Sequence, residues 1–288
     1  MSKRDIHAEV TAQIIAALEA GTPPWRRPWG KGVGPSLPRN AVSGHRYRGV
    51  NALLLAWHPL ELASGDPRWC TYHQAQEKGW QVRKGEKGTA IIFFKRIEVE
   101  DEDADEDDDP RTIPLIKTFT VFHASQMDGI PAWTRPAPVE PTWQAPEMVK
   151  AMLTASGVKL RIGGTEASYS LARDLIRLPP ERLFRSPEGW AATALHELAH
   201  ATAHPSRLDR EMPRKYGSPA YAMEELRAEL ASAFVCAELG LPSELEQHAS
   251  YIEGWLAVLR GDKREVFRAA AVAQRIADWV LALAHHSE

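Results

Sequence analysis

Thr193-Ala-Leu-His-Glu-Leu-Ala-His200 sets two histidines and a glutamate in H-E-x-x-H order inside a helix-favouring run. At about 3.6 residues per turn, His196 and His200 fall one turn apart on the same helix face, so their imidazoles can converge on one cation. Glu197, beside them, is placed to act as general base on a metal-bound water. This is the residue pattern of a zinc peptidase metal site, with Zn²⁺ the expected ion and another divalent metal such as Mn²⁺ the alternative.

A tetrahedral catalytic zinc needs a third protein ligand and an open position. The run Tyr221-Ala-Met-Glu-Glu-Leu-Arg-Ala-Glu-Leu-Ala-Ser-Ala-Phe234 offers one. Glu225 and Glu229 lie four apart and share a helix face, while Leu226, Leu230, Ala233, Phe234 and Ala237 form the apolar stripe that packs the helix. Like charges at that spacing repel unless a cation or a ligand histidine absorbs them. Glu225 is therefore read as the metal ligand and Glu229 as the carboxylate holding the other ring nitrogen of His196 or His200, with the reverse order as the open alternative. Tyr216 or Tyr221 is the expected oxyanion donor. His204 extends the histidine series, but two turns of rise carry it about 12 Å from His196, so it is read as a helix-end residue.

The 288 residues have the apolar and charged content of an ordinary globular chain, enough for two domains. No run of about 18 apolar residues is present to span a membrane, and Met1-Ser-Lys-Arg-Asp-Ile-His7 leads into a polar amphipathic helix, so a cytoplasmic protein without a membrane partner is expected. The two cysteines, Cys70 and Cys236, are read as free thiols of a reducing compartment. Charge is sharply segregated. Residues 1–97 carry 15 basic against 7 acidic side chains, residues 98–109 carry ten acids and no base, and the remainder is close to neutral. A basic module is the usual footprint of a polyanion binder.

The acidic run lies between two strand-like segments, 89–94 and 113–122, and reads as a hairpin loop. Ile6, Val10, Ile14, Ile15 and Leu18 recur at helical spacing. The proline-rich stretch 131–146 reads as an interdomain linker. Beyond it the pattern predicts a helix near 147–156, strands near 158–162 and 168–178, the metal helix from about 188, and long helices near 219–239, 247–260 and 263–284. Tyr169–Leu178 is the expected edge strand over the metal, able to hold an extended substrate by its main chain. The fold class expected is α+β in two domains: residues 1–130 with the acidic loop 98–112, the linker 131–146, and a metallopeptidase-like domain 147–288.

In the basic half, Trp25-Arg-Arg-Pro-Trp29 places rings beside guanidinium groups. Arg39 and the run Arg46, Tyr47, Arg48 and Asn51 follow, and Trp69, Tyr72, Arg83, Lys84 and Lys87 extend the set. Cations for phosphates and rings for unpaired bases are what a single-stranded nucleic acid surface needs. Trp57 and Trp80 are expected in the core.

The segments Asp5–Trp29, Tyr47–Asn51, Val82–Gly88 and Thr120–Gly129 closely resemble the N-terminal domain of the ArdC-type antirestriction proteins. Ile176–Pro180, His196–Arg210 and Glu224–Glu229 resemble the metallopeptidase domain of the same family, with Ala203 where the family is expected to carry glycine. The resemblance implies a plasmid-type protein that binds single-stranded DNA and protects incoming DNA during conjugation. It also implies a zincin-like fold similar to that of the Spartan proteases, acting on an unknown protein substrate. The rival expectation is a non-enzymatic single-stranded DNA coat in which the metal is only a structural staple.

Overall fold

A computed structural model describes residues 5–21, 37–56, 58–98, 112–134, 144–213, 215, 217–241 and 249–284. The chain runs through α1 (Ile6–Glu19), β1 (Arg39–Asn40), α2 (Val50–Ala56), α3 (Pro59–Ser64), β2 (Arg68–Thr71), α4 (Tyr72–Glu77), β3 (Gln81–Val82), β4 (Thr89–Glu98), β5 (Thr112–His123) and β6 (Met127–Asp128). It continues through α5 (Gln144–Ala155), β7 (Lys159–Ile162), β8 (Ser168–Ser170), β9 (Leu175–Leu178), α6 (Pro187–Ala201), α7 (Pro219–Leu239), α8 (Ala249–Gly261) and α9 (Glu265–Leu283). Among the described residues no helix is long and apolar enough to cross a membrane. The architecture is α+β in two compact units, one made of residues 38–47 and 54–133, the other of residues 1–37, 48–53 and 134–288.

The smaller unit is built on a sheet of order β1-β2-β5-β4, with β2, β5 and β4 antiparallel and β1 parallel to β2. The alternation expected of a sheet sends Trp69 and Val121 to one face, packed with Leu55, and Cys70 to the other, packed with Ala75, Val82 and Met127. Trp69 was expected on a nucleic acid surface; it is instead fully buried, and its indole N–H donates to the buried Glu61 carboxylate at 3.0 Å. A tryptophan in the centre of a strand covers the largest core area when turned inward, and Glu61 satisfies its one polar atom. Tyr47 packs on the same cluster, its hydroxyl donating to Trp69 O, and burial pushes its pKa up to about 12. Trp80 packs half-buried on the second cluster, whereas Trp57 lies outside the described residues.

β4 and β5 stay paired from Thr89↔Val121 to Glu98↔Thr112, so the acidic run connects the two strands of one hairpin. Pro131 and Trp133, at the start of the expected linker, are held by Arg68, which donates to Pro131 O and stacks over the Trp133 ring; residues 135–143 lie outside the described set.

The larger unit gathers the long helices. α1 belongs to it, although the sequence boundary grouped residues 1–130 together: its apolar face (Val10, Ile14, Leu18) is buried, Thr11 Oγ1 donates to Lys263 O, and Arg260 and Lys263 pair with Glu19 and Asp5. The two helices that matter for function start alike. Ser186 caps α6 and Ser218 caps α7, each followed by a proline whose fixed φ suits the first helical position. Fully buried alanines (Ala191, Ala192 and Ala194 on α6; Ala228 and Ala231 on α7) allow a close approach, and Ser232 Oγ of α7 donates to Ala192 O of α6. Small side chains in such a seam let backbones approach, so groups as short as imidazole and carboxylate can meet across it.

The segment expected as one strand over 168–178 is two. β8 and β9 are antiparallel, separated by a 3₁₀ turn over Leu171–Arg173 and by Asp174 at φ 44°. Aspartate tolerates this left-handed conformation better than most residues, and Arg207 and the Tyr169 hydroxyl hold its carboxylate there. The sheet order β7-β9-β8 leaves β8 at the edge.

Replacing Trp69 by alanine should destabilise the protein by about 3–5 kcal/mol, as loss of a buried aromatic does. Denaturant unfolding reads this directly. A variant of unchanged stability would show that the indole is not a core residue.

Candidate metal centre

His196 and His200 project from α6 one turn apart, and Glu225 meets them from the second turn of α7. His200 Nε2 lies 3.1 Å from His196 Nε2, Glu225 Oε2 lies 3.4 Å from His196 Nε2, and Glu225 Oε1 lies 3.5 Å from His200 Nε2. These three residues offer ligand atoms within 4.8 Å of one another, and Glu197, Glu224 and Glu229 are not part of the set.

The donor set fits a divalent ion. Ligand bonds of about 2.0–2.2 Å arranged tetrahedrally put neighbouring donors about 3.3–3.6 Å apart, close to the spacings found here. Two imidazole Nε2 atoms facing each other at 3.1 Å with a carboxylate beside both is, moreover, an arrangement that a shared cation satisfies for all three groups. Burial alone would push both histidines toward the neutral form, yet the Glu225 carboxylate, and Glu224 for His200, hold their pKa values above the ordinary imidazole range; Glu225 is correspondingly held low despite its own burial.

A second layer fixes the ring of His200. Its Nδ1 lies 3.2 Å from Glu224 Oε1, and Arg210 grips that carboxylate with two bonds of 2.8 and 3.0 Å while also donating to Ala199 O and Thr202 Oγ1. The sequence reading assigned this holding role to Glu229. On His200 it falls to Glu224, because the ring nitrogen opposite the donor set faces Arg210 in the loop after α6, and Glu224 sits between them. Burial raises the Glu224 pKa, but His200 and Arg210 more than offset it and keep the group ionised. Glu229 is buried on α7 close enough to His196 to act on it electrostatically. Neither Glu224 nor Arg210 stood out by spacing: Glu224 is adjacent to Glu225 in sequence, and Arg210 comes ten residues after the histidine it serves.

Glu197 is 7% exposed, and burial raises its pKa against the pull of the two histidines. The Tyr169 backbone on β8 lies near enough to its carboxylate to help offset that rise, so the sheet edge approaches the site through its main chain. The Tyr169 hydroxyl in turn donates to Asp174, which is ion-paired to Arg207, whose Nε donates to Ala201 O at the end of α6. α6 ends at Ala201, four residues before Pro205, and His204 turns to Ser206. Tyr221 is half-buried in the first turn of α7, one turn before Glu225; Tyr216 lies outside the described residues.

Of the expected DNA-binding residues, Arg39 and Arg46 lie together across an isolated β-bridge. Trp25, Arg26, Arg27 and Trp29 lie outside the described residues. Arg46, Arg48, Arg83, Lys84 and Lys87 are exposed, Arg39 and Asn51 half-buried. Arg48 is ion-paired to Asp278, and Arg83 to Glu86 and Asp128. Trp69, and to a lesser degree Tyr47, are taken up by the core.

Residues 147–272 match the zincin-like metallopeptidase family, and residues 4–122 match the N-terminal domain of anti-restriction factor ArdC. The fold and the donor set thus define a two-domain protein whose second domain is zincin-like. Two structures of the antirestriction ArdC protein from the R388 plasmid, one metal-free and one Mn(II)-bound, superpose with TM-scores of 0.79 and 0.78 at 38% identity, covering 98% of this chain and nearly all of theirs. The Sinorhizobium fredii protein y4eC is 42% identical over 285 residues, which is 91% of its length. A DNA primase TraC of Escherichia coli is 43% identical over 97% of this chain, which spans only 27% of that protein. This chain belongs to the ArdC antirestriction family.

Substituting His196, His200 or Glu225 by alanine should leave the purified protein without bound divalent metal on elemental analysis. Glu224→Ala should weaken metal affinity roughly 10- to 100-fold, the usual cost of losing a group that orients a ligand histidine. A metal-free Glu229→Ala beside a metal-loaded Glu225→Ala would reverse the ligand assignment.

Proposed function

We propose that this protein protects single-stranded DNA entering a cell by conjugation, binding it through the basic N-terminal half, and that its second domain is a zinc-dependent metallopeptidase. The observation that carries the enzymatic reading is Glu197: a buried carboxylate beside the three metal donors, yet not one of them. A metal that only staples two helices needs no such group.

His196, His200 and Glu225 would hold Zn²⁺, or Mn²⁺ as in the R388 relative. When bound, the ion supplies Lewis acidity toward a peptide carbonyl and lowers the pKa of a water. The chain's own part is proton handling and positioning. Glu197, its pKa raised by burial, is suited to take the proton of the attacking water and return it to the leaving amine. The Tyr169 backbone on β8 lies beside the Glu197 carboxylate. β8 is the edge to which an extended segment of the unknown protein substrate would add by main-chain pairing. Tyr221 or Tyr216 would stabilise the oxyanion.

Glu197→Gln should abolish DNA-stimulated self-cleavage of the metal-loaded protein while metal content and DNA affinity stay unchanged. Cleavage that survives in the variant would remove Glu197 from the chemistry; an unaltered protein that protects DNA without ever cleaving would establish the coat reading.

For the DNA half, Arg26→Ala with Arg27→Ala should flatten the log–log salt dependence of single-strand binding by about 1.4. Trp25→Ala or Trp29→Ala should cost about 1–3 kcal/mol with little change of slope. An unchanged slope and affinity in all these variants would move the binding surface elsewhere.

A further inference from the structure

The outer face of the small sheet beside the metal centre carries a cluster of cations that no described acid neutralises. β9 alternates strictly: Ile176 and Leu178 are fully buried toward the helices, so Leu175 and Arg177 point outward. The parallel register with β7 aligns Lys159 with Leu175 and Arg161 with Arg177, and the antiparallel register with β8 aligns Ser168 with Arg177 and Ser170 with Leu175. One row across the sheet therefore reads Ser168, Arg177, Arg161, and the next reads Ser170, Leu175, Lys159. Lys159, Arg161 and Arg177 are all exposed.

This arrangement works against the sheet itself. Arg161 and Arg177 stand on neighbouring strands about 4.8 Å apart, and like charges directly opposite each other are destabilising. Several other cations of the same unit are matched, Lys150 to Glu147 and Glu181, Arg207 to Asp174, Arg210 to Glu224, Arg260 to Glu19, Lys263 to Asp5, and Arg268 to Asp262 and Glu265, while single exposed arginines such as Arg173, Arg182 and Arg185 are not. What sets the sheet face apart is that its cations stand in register on neighbouring strands. Among the described residues none of the three sheet cations makes an ion pair, and Glu166, in the β7–β8 connection, makes none with them. The face is open, with the serine hydroxyls of β8 at one edge beside the cations and no aromatic side chain. It suits an extended polyanion held through its phosphates and offers nothing to stack on a base.

We infer that the outer face of the β7–β9–β8 sheet, through Lys159, Arg161 and Arg177, is a second contact surface for the phosphate backbone of single-stranded nucleic acid, located within the metallopeptidase domain itself. The inference rests on the reading that the protein binds single-stranded DNA. It adds that the domain carrying the metal donors grips the strand too, sequence-independently. β8 serves both tasks: Ser168 and Ser170 lie on the phosphate face, and the main chain of Tyr169 between them lies beside Glu197.

The test uses the full-length protein and a mixed-sequence fluorescent single-stranded oligonucleotide, titrated across a salt series. Arg161→Ala with Arg177→Ala should reduce the log–log salt slope by about 1.4, equally for every base composition. The melting temperature should not fall, because both side chains are exposed. In the unaltered protein, photo-crosslinking with a 4-thiothymidine oligonucleotide should label peptides within residues 159–178. An unaltered protein that binds DNA, together with a double variant of unchanged slope and no crosslink in that region, overturns the second surface and leaves the N-terminal reading standing. An unaltered protein that fails to bind the oligonucleotide at low salt overturns both.

Discussion

The helix pair α6–α7 buries four glutamates, Glu197, Glu224, Glu225 and Glu229, together with His200 and most of His196. An ion moved out of water costs several kcal/mol unless it is paired and hydrogen-bonded, so a fold that gathers this many ionisable groups must supply matching charge. Arg210 supplies it for Glu224, and the two imidazoles supply it for Glu225. The buried Nδ1 of His196 has no hydrogen-bond partner among the described residues, and the two Nε2 atoms point at each other. A divalent cation at the donor set would balance the arrangement. The rest of the larger unit follows from holding those donors still: capped helix starts, an alanine seam, and a sheet edge pinned to the end of α6 by Tyr169, Asp174 and Arg207.

How much of this was legible in the sequence depends on whether a residue's role is set by local spacing or by a distant contact. The histidines and Glu197 are fixed by helical geometry within five residues, so their convergence could be read directly, and the 3.6-residue periodicity gave the long helices to within a few positions. Glu225 followed from the need for a third donor on a second helix. Glu224 was passed over for Glu229, because both carboxylates lie on a buried part of α7 and only the position of Arg210 marks out Glu224. The edge strand was drawn too long, since Asp174 reverses the chain through a left-handed backbone that no spacing rule reports.

The basic half shows the reverse pattern. Charge counting identified the module, but an aromatic-plus-arginine composition does not distinguish a stacking ring from a core ring, and Trp69 fell on the core side once Glu61 was there to receive its N–H. Helix α1 shows a similar limit: its amphipathic stripe is plain, yet only the tertiary contacts with Lys263 and Arg260 assign it to the unit of the long helices. Membership of the ArdC family joins the two halves into one architecture.

The central claim is that His196, His200 and Glu225 form one divalent metal site. It is tested most directly by an anomalous difference map at the zinc edge from a Zn²⁺-soaked crystal. The account predicts a single strong peak at about 2.0–2.2 Å from His196 Nε2, His200 Nε2 and a Glu225 carboxylate oxygen, with Glu197 outside that distance. A peak liganded by Glu229 in place of Glu225, or full-occupancy zinc bound away from the two histidines, would contradict it.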